Sequence, residues 1–303
     1  MPESVEAGFS WKTIQECGHK RPPAGVISIR TQSRIPVSWA KNISGILTRS
    51  TGYDHILPFL QKTPVDLPCG HLPPYCSRSV AEQAMLMWMA LLRNLTAQTG
   101  NFPRFNRNGL TGRESEGKTV LVVGVGNIGY EVVRIGEGLG MKVLGVDIVK
   151  NYDTVDYVSI EQGLAAADII VCAMNLTLEN HHYFSYRLLK QARPGVIFVN
   201  ISRGEQSPSV DILRLLEENH LGGVGLDVFN HESELARTLS GGSVSNDEEV
   251  MSTLKLMNHP NVILTPHNAF NTKEALDRKS RLSVEQIEHF LKQGEFLWSV
   301  PTA

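Results

Sequence analysis

The stretch that most constrains this chain runs from Lys118 to Asp147. An apolar run, Thr119-Val120-Leu121-Val122-Val123, leads directly into Gly124-Val125-Gly126-Asn127-Ile128-Gly129 and then into an amphipathic segment. That order suits a dinucleotide: Gly124 permits a tight turn out of a buried strand, Gly126 lets the backbone approach a pyrophosphate, and Gly129 lets the next helix pack closely on the sheet. The helix start, at Asn127 and Ile128, adds free N–H groups and a partial positive charge. A second apolar run, Lys142 to Val146, ends in Asp147, whose carboxylate can accept hydrogen bonds from a ribose 2′-hydroxyl. The competing reading is an ordinary strand-to-helix turn with Asp147 as a cap, and the complete set of strand, loop, helix and acid weighs against it. Asp147 would also repel a 2′-phosphate, and no arginine follows it directly, so NAD is expected over NADP; Lys150 is the one residue that points the other way.

Composition limits the remaining choices. With 303 residues and 42% hydrophobic content the chain can bury a large core and is expected to form two domains. A net charge of -2 and the lack of a long basic tract argue against nucleic acid or an anionic membrane as partner. No apolar run reaches the length of a membrane span, and Met1-Pro2-Glu3-Ser4 lacks the features of a signal peptide. Cys17, Cys69, Cys76 and Cys172 show no C-x-x-C pair and no zinc spacing, so no metal site is expected and a reducing cytoplasm suits them.

Beyond the glycine loop, apolar runs alternate with helical patterns, a rhythm that points to a doubly wound parallel sheet. Strands are expected at Thr119–Val123, Val143–Val146, Asp168–Cys172, Val196–Asn200, Gly223–Val228 and Val262–Thr265, with helices such as Tyr186–Ala192 and Pro208–Glu218, the latter capped by Ser207. Ser79 to Leu95 is apolar over most of its circumference and reads as a helix buried between domains or subunits, its methionines filling core. A final helix, Lys273 to Lys292, is expected to pack back on the N-terminal part. The expected division is residues 1–95 with 270–303 as a discontinuous α/β unit, and 96–269 as the dinucleotide-binding unit. The Gly/Ser-rich patch Ser240–Ser245 reads as a mobile loop.

In open α/β sheets the binding crevice lies at the carboxyl ends of the strands. Three residues stand at the ends of the last three: Arg203 in Asn200-Ile201-Ser202-Arg203-Gly204, Glu232 after Leu226-Asp227-Val228-Phe229, and His267 in Thr265-Pro266-His267. A strand order of 3-2-1-4-5-6 would make those strands neighbours. Hydride transfer to a 2-oxo acid asks for such groups. Arginine offers a fixed bidentate fork to carboxylate and carbonyl, and histidine supplies a proton to the forming alkoxide near neutral pH. A carboxylate in contact keeps that histidine charged. Singly, each residue also reads as a surface or turn residue; their occurrence at three successive strand ends favours function.

These motifs resemble the NAD-dependent D-2-hydroxyacid dehydrogenases, from about Gly45 to the end of the chain. The Asn-x-Ser-Arg-Gly run, the glutamate five residues after the Asp of Leu-Asp-Val-Phe, and the histidine after Thr-Pro all match. The resemblance implies a Rossmann nucleotide domain and a flavodoxin-like α/β substrate domain, here possibly shortened at its N-terminus, because Met1 to Pro23 has no clear apolar run. It assigns Arg203 to substrate binding, Glu232 to tuning the histidine, His267 to acid/base work and Asp227 to the cofactor side. It assigns the N–H groups of Thr51 and Gly52, in Thr48-Arg49-Ser50-Thr51-Gly52-Tyr53-Asp54, to the substrate carboxylate. Tyr75 and Phe270 resemble pocket residues of the D-lactate dehydrogenase subgroup, which favours a small substrate such as pyruvate; the alternative for both is core packing. Ser207-Pro208 and Gln83 depart from the family pattern without removing a catalytic group. Glyoxylate, hydroxypyruvate and phosphoglycerate chemistry stay open, as does an NAD-sensing corepressor or scaffold with vestigial catalysis. A homodimer is expected.

Overall fold

The computed structural model describes residue 22 and residues 25–31, 33–63, 65–242 and 244–301, which divide into two compact units. One contains the described residues up to Cys76 and those from Asn271 onward; the other is Ser77–Phe270.

The chain-end unit is built on three short parallel strands, β1 (Val26–Ile29), β2 (Gly45–Thr48) and β3 (Cys69–Gly70), in that spatial order. β2 is buried along its whole length, as a central parallel strand covered on both faces must be. Ile27, Ile29, Trp39, Ile46 and Ile56 form its core. The helix Lys273–Gln293 seats the Phe290 ring on Gly45 of β2. The chain then returns beside β3, where the Val300 N–H donates to the Cys69 carbonyl at 2.7 Å and Ser299 forms an antiparallel bridge with Gly70. Residues 1–21 and 23–24, on which the expectation of a shortened N-terminus rests, lie outside the described residues.

The second unit carries a six-stranded parallel sheet: β4 (Thr119–Val123), β5 (Lys142–Val146), β6 (Ile169–Cys172), β7 (Val196–Asn200), β8 (Leu221–Leu226) and β9 (Val262–Leu264). Its spatial order is β5-β4-β6-β7-β8-β9. Counted from β4, this is 2-1-3-4-5-6 and corrects the expected 3-2-1-4-5-6. The segment after Asp147 gives its residues to the helix Ile160–Ala166, and only Tyr157 pairs beside β5, in an isolated bridge with Gly145. The next full strand, β6, therefore pairs on the opposite side of β4. The consequence drawn from the expected order survives, because β7, β8 and β9 are still neighbours on one side of β4.

Two other expectations change. The helix α1 (Ser77–Leu92), expected with the chain ends, groups with the dinucleotide unit. Its buried residues Val80, Ala84, Met87 and Trp88 explain why: α1 packs on α2 (Asn127–Gly138) and on β7 and β8, with Met87 directly over Gly225. Ser207 does not cap the following helix, which is Ser209–Glu217 with Pro208 in the cap position. The Ser207 hydroxyl instead accepts from the Asn200 amide at 2.7 Å, and the Glu249 carboxylate takes the Ser209 N–H, also at 2.7 Å. Residue 243 of the Gly/Ser-rich patch is outside the described residues, while Ser245 at its end is buried and donates to Glu234.

Candidate active site

At the carboxyl end of β4 the chain turns into α2 as the glycine spacing requires. Gly124 has a φ of 93°, and a Cβ there would stand 2.6 Å from the Met174 nitrogen. A Cβ on Gly129 would meet the Gly124 carbonyl oxygen at 1.9 Å, so only glycine lets α2 start this close to the strand. Gly126 faces open space. No side chain caps α2, and among the described residues the N–H groups of Asn127, Ile128 and Gly129 have no protein acceptor. An uncapped helix start beside an open glycine edge is what a pyrophosphate needs, so the residues fit NAD. Asp147, at the end of β5, accepts from the Val125 N–H at 2.6 Å and from the Val149 N–H at 3.0 Å. It braces the glycine loop.

The loops after β7, β8 and β9 converge. Asn200, fully buried, ties the first: its amide donates to the Arg203 carbonyl at 2.9 Å and its oxygen accepts from the Ser202 N–H at 2.9 Å. Arg203 donates to the Ser202 carbonyl at 2.8 Å. A Cβ on Gly204 would lie 1.9 Å from the Phe229 carbonyl carbon, so the β7 loop lies directly on the loop that carries Glu232. Glu232 opens the helix Glu232–Leu239; one of its oxygens accepts from the Phe229 N–H at 3.2 Å, and the other meets His267 Nδ1 at 3.0 Å. His267 holds a φ of 49°, an uncommon conformation for a residue with a side chain. Burial pulls its imidazolium pKa down, but the hydrogen bond and charge of Glu232 outweigh burial, with Arg203 opposing and Asp227 assisting, and the net result is above the ordinary histidine value.

Asp227, which the sequence assigns to the cofactor side, also ties the loop that carries His267. It is 1% exposed, and both carboxylate oxygens are taken up by the histidine loop: one accepts from the Thr265 hydroxyl at 2.5 Å and the Asn268 N–H at 2.9 Å, the other from the Ala269 N–H at 2.9 Å. Burial raises its pKa against the lowering effect of those bonds. Gln83 of α1, which departs from the family pattern, reaches Thr265 at 3.4 Å and so joins the same network. Phe270 follows, half-buried, its carbonyl 3.5 Å from the Ser79 hydroxyl.

In the chain-end unit, Thr51 is anchored by side-chain contacts to the Leu72 carbonyl and the Cys76 sulfur, both at 3.3 Å, and its carbonyl meets His71 Nδ1 at 2.8 Å. The Ser50 hydroxyl donates to the Gly52 carbonyl at 2.8 Å. Among the described residues the Thr51 and Gly52 N–H groups have no protein acceptor. Tyr75 is 4% exposed, with its carbonyl accepting from Arg278 at 2.9 Å.

The chain is similar to known proteins. Residues 84–269 match the family model described as D-isomer specific 2-hydroxyacid dehydrogenase, NAD binding domain. A D-lactate dehydrogenase of Streptococcus agalactiae serotype V is 31% identical over 249 residues, which span 80% of this chain and 74% of that protein. A D-lactate dehydrogenase of Escherichia coli strain K12 is 33% identical over 230 residues, 74% of this chain and 69% of that protein. The crystal structure of a D-lactate dehydrogenase from Aquifex aeolicus, complexed with NAD and lactic acid, aligns over 100% of this chain and 97% of its own with a TM-score of 0.86 at 28% identity. With the glycine loop of β4 and the Arg-Glu-His trio at β7 to β9 already in place, the chain belongs to the D-isomer specific 2-hydroxyacid dehydrogenases and is an NAD-dependent oxidoreductase.

Proposed function

We propose that the protein reversibly reduces a small 2-oxo acid to the D-2-hydroxy acid, with pyruvate and D-lactate as the leading pair. The observation that carries this reading is the 3.0 Å contact between Glu232 and His267 Nδ1, which leaves Nε2 for substrate. NADH, when bound, supplies the hydride to C2. Arg203 binds and orients the acid through its guanidinium. His267, kept charged by Glu232, gives its proton to the alkoxide formed at C2; in the reverse direction the neutral ring takes that proton back. Thr51 and Gly52 offer their N–H groups to the carboxylate, Tyr75 and Phe270 bound the side chain, and Asp147 holds the ribose. The test is NADH consumption by the purified protein with pyruvate, glyoxylate, hydroxypyruvate, 2-oxobutyrate and phenylpyruvate. Turnover that favours the smallest acids supports the assignment. NADH binding without consumption would replace it with the sensor reading.

The protein is further proposed to act as a cytoplasmic homodimer. Phe102 and Phe105, 74% and 75% exposed on the arm after α1, with Leu86 and Leu95 also exposed, are the apolar surface offered to a second copy. Among the described residues no helix is long and apolar enough to cross a membrane. Cys69, Cys76 and Cys172 are buried, and the absence of any C-x-x-C spacing is in keeping with a reducing compartment.

A further inference from the structure

The helix Glu232–Leu239 presents the carboxylate that meets His267, yet it has little of its own to hold it in place. It is 8 residues long, too short to be stable by itself, and Leu235 is its one buried residue. The residue before it, His231, holds a φ of 55°. That left-handed conformation is unfavourable for a residue with a β-carbon and persists only where the surroundings over-determine it. His267, on the other side of the contact, is left-handed too, and there Asp227 ties the loop. For His231 the tie is Asp247.

Asp247 is shared between two helices. Its Oδ1 accepts from the Val250 N–H at 3.1 Å and so caps the helix Glu248–Leu256, while Oδ2 meets His231 Nδ1 at 2.9 Å. The same two segments are joined a second time: the buried Ser245 hydroxyl accepts from the Asp247 N–H at 3.0 Å and donates to Glu234. The helix Glu248–Leu256 is the fixed partner. Val250 and Leu256 are fully buried, Glu249 takes the Ser209 N–H at 2.7 Å, and the Thr253 hydroxyl donates to that of Ser209 at 2.9 Å. It is thereby anchored to the helix Ser209–Glu217, which follows the Arg203 loop. The His231–Asp247 pair itself is partly exposed, so it has the strength of a surface ion pair, enough to aim a short helix and too little to decide the stability of the fold.

We infer that His231 and Asp247 are positioning residues for the reduction: they clasp the helix that carries Glu232 to the anchored helix behind it and so aim Glu232 at His267. The inference rests on the roles proposed for Glu232 and His267. Neither clasp residue touches the reacting atoms. The Val250 N–H and then His231 hold the Asp247 carboxyl below its usual range, so it stays ionised near neutral pH. Nδ1 of His231 carries a proton to donate whether the ring is charged or neutral, so the clasp persists across that range.

The test separates the clasp from the cap and from the backbone. Asp247→Ser keeps an acceptor for Val250 and loses the oxygen that meets His231. His231→Gly accepts the left-handed conformation and loses the donor, whereas His231→Asn tolerates that conformation and keeps a donor at the place of Nδ1. Proton NMR titration of the histidine ring signals in the full chain, with His267→Asn identifying the His267 line, reads the outcome without turnover. The charged groups that act on His267 are Glu232, Arg203 and Asp227, none of which these variants alter, so a shift reports the aim of Glu232. In Asp247→Ser and His231→Gly the His267 titration should move to lower pH by about 0.3–0.7, a twofold to fivefold change and the range of one exposed ion pair. His231→Asn should restore it, and the double variant should move it no further than either single one. The falling limb of kcat/KM against pH should follow the same shifts, with NADH affinity unchanged. A His267 titration that stays in place in both variants, even with a loss of stability to urea, overturns the clasp. Glu232→Gln separates the two readings: if it moves the His267 titration and the clasp variants do not, the clasp alone fails, and if Glu232→Gln also leaves it in place, the assignment of Glu232 fails with it.

Discussion

The glycine loop after β4 and the loops after β7 to β9 stand at the same edge of one sheet, yet different physics holds them. The first is fixed by backbone geometry: Gly124 turns where side chains strain, Gly129 lets α2 close on the strand, and the Asp147 side chain braces the loop. The second is fixed by buried polar side chains. Asn200 binds the arginine loop, and Asp227 gathers Thr265, Asn268 and Ala269 so that His267 keeps a left-handed conformation facing Glu232. A backbone-built site needs small residues and exposes its donors to the ligand. A side-chain-built site needs every buried partner satisfied, so it fails when a single acceptor is removed.

The largest effect expected from breaking either region is chemical. His267→Asn should lower kcat by about 10²–10⁴-fold, because the proton donor is lost. Asparagine tolerates a φ of 49° better than most residues, so the loop should survive, and unchanged NADH binding by fluorescence would confirm that. A near-normal rate would refute the acid/base assignment.

Asp227→Ala should come next. It leaves the Thr265 hydroxyl and the Asn268 and Ala269 N–H groups without their acceptor, at about 1–3 kcal/mol for each one left unsatisfied. Urea unfolding should show the loss, and turnover should fall although Asp227 touches no substrate. Unchanged stability would mean that the histidine loop is held by something else.

The smallest change belongs to the backbone-built region. Asp147→Ala removes one brace, the bond from Val125, along with the proposed ribose acceptor. NADH affinity should fall by about 1–2 kcal/mol, the range of one or two hydrogen bonds, and the preference over NADPH should narrow. A preference that stays as it was would reject the ribose role while leaving the brace intact.

The contrast also explains what could be read from the chain. Gly124, Gly126 and Gly129 act within a few residues of one another, so their spacing alone carries the turn, and Arg203, Glu232 and His267 are legible because each follows its own apolar strand. The strand order was not legible, since nothing local shows that the segment before Ile160 shrinks to a single bridge at Tyr157. The bonds of Asp227 to Asn268 and Ala269 are visible only when β8 and β9 lie side by side. Glu249 capping Ser209, the β3 pairing of the chain's end, and the approach of Lys279 to Tyr75 are likewise products of tertiary folding.

The central claim is that Glu232 holds His267 in its charged form for reduction. Because the net effect raises the His267 pKa, reduction should be fastest at low pH and fall as pH rises through that raised value, while oxidation of the hydroxy acid should rise over the same interval. The decisive measurement is kcat/KM against pH for wild type and Glu232→Gln with the best 2-oxo acid. The account predicts that the falling limb moves to lower pH in the variant. A limb at the same pH in both proteins would contradict it.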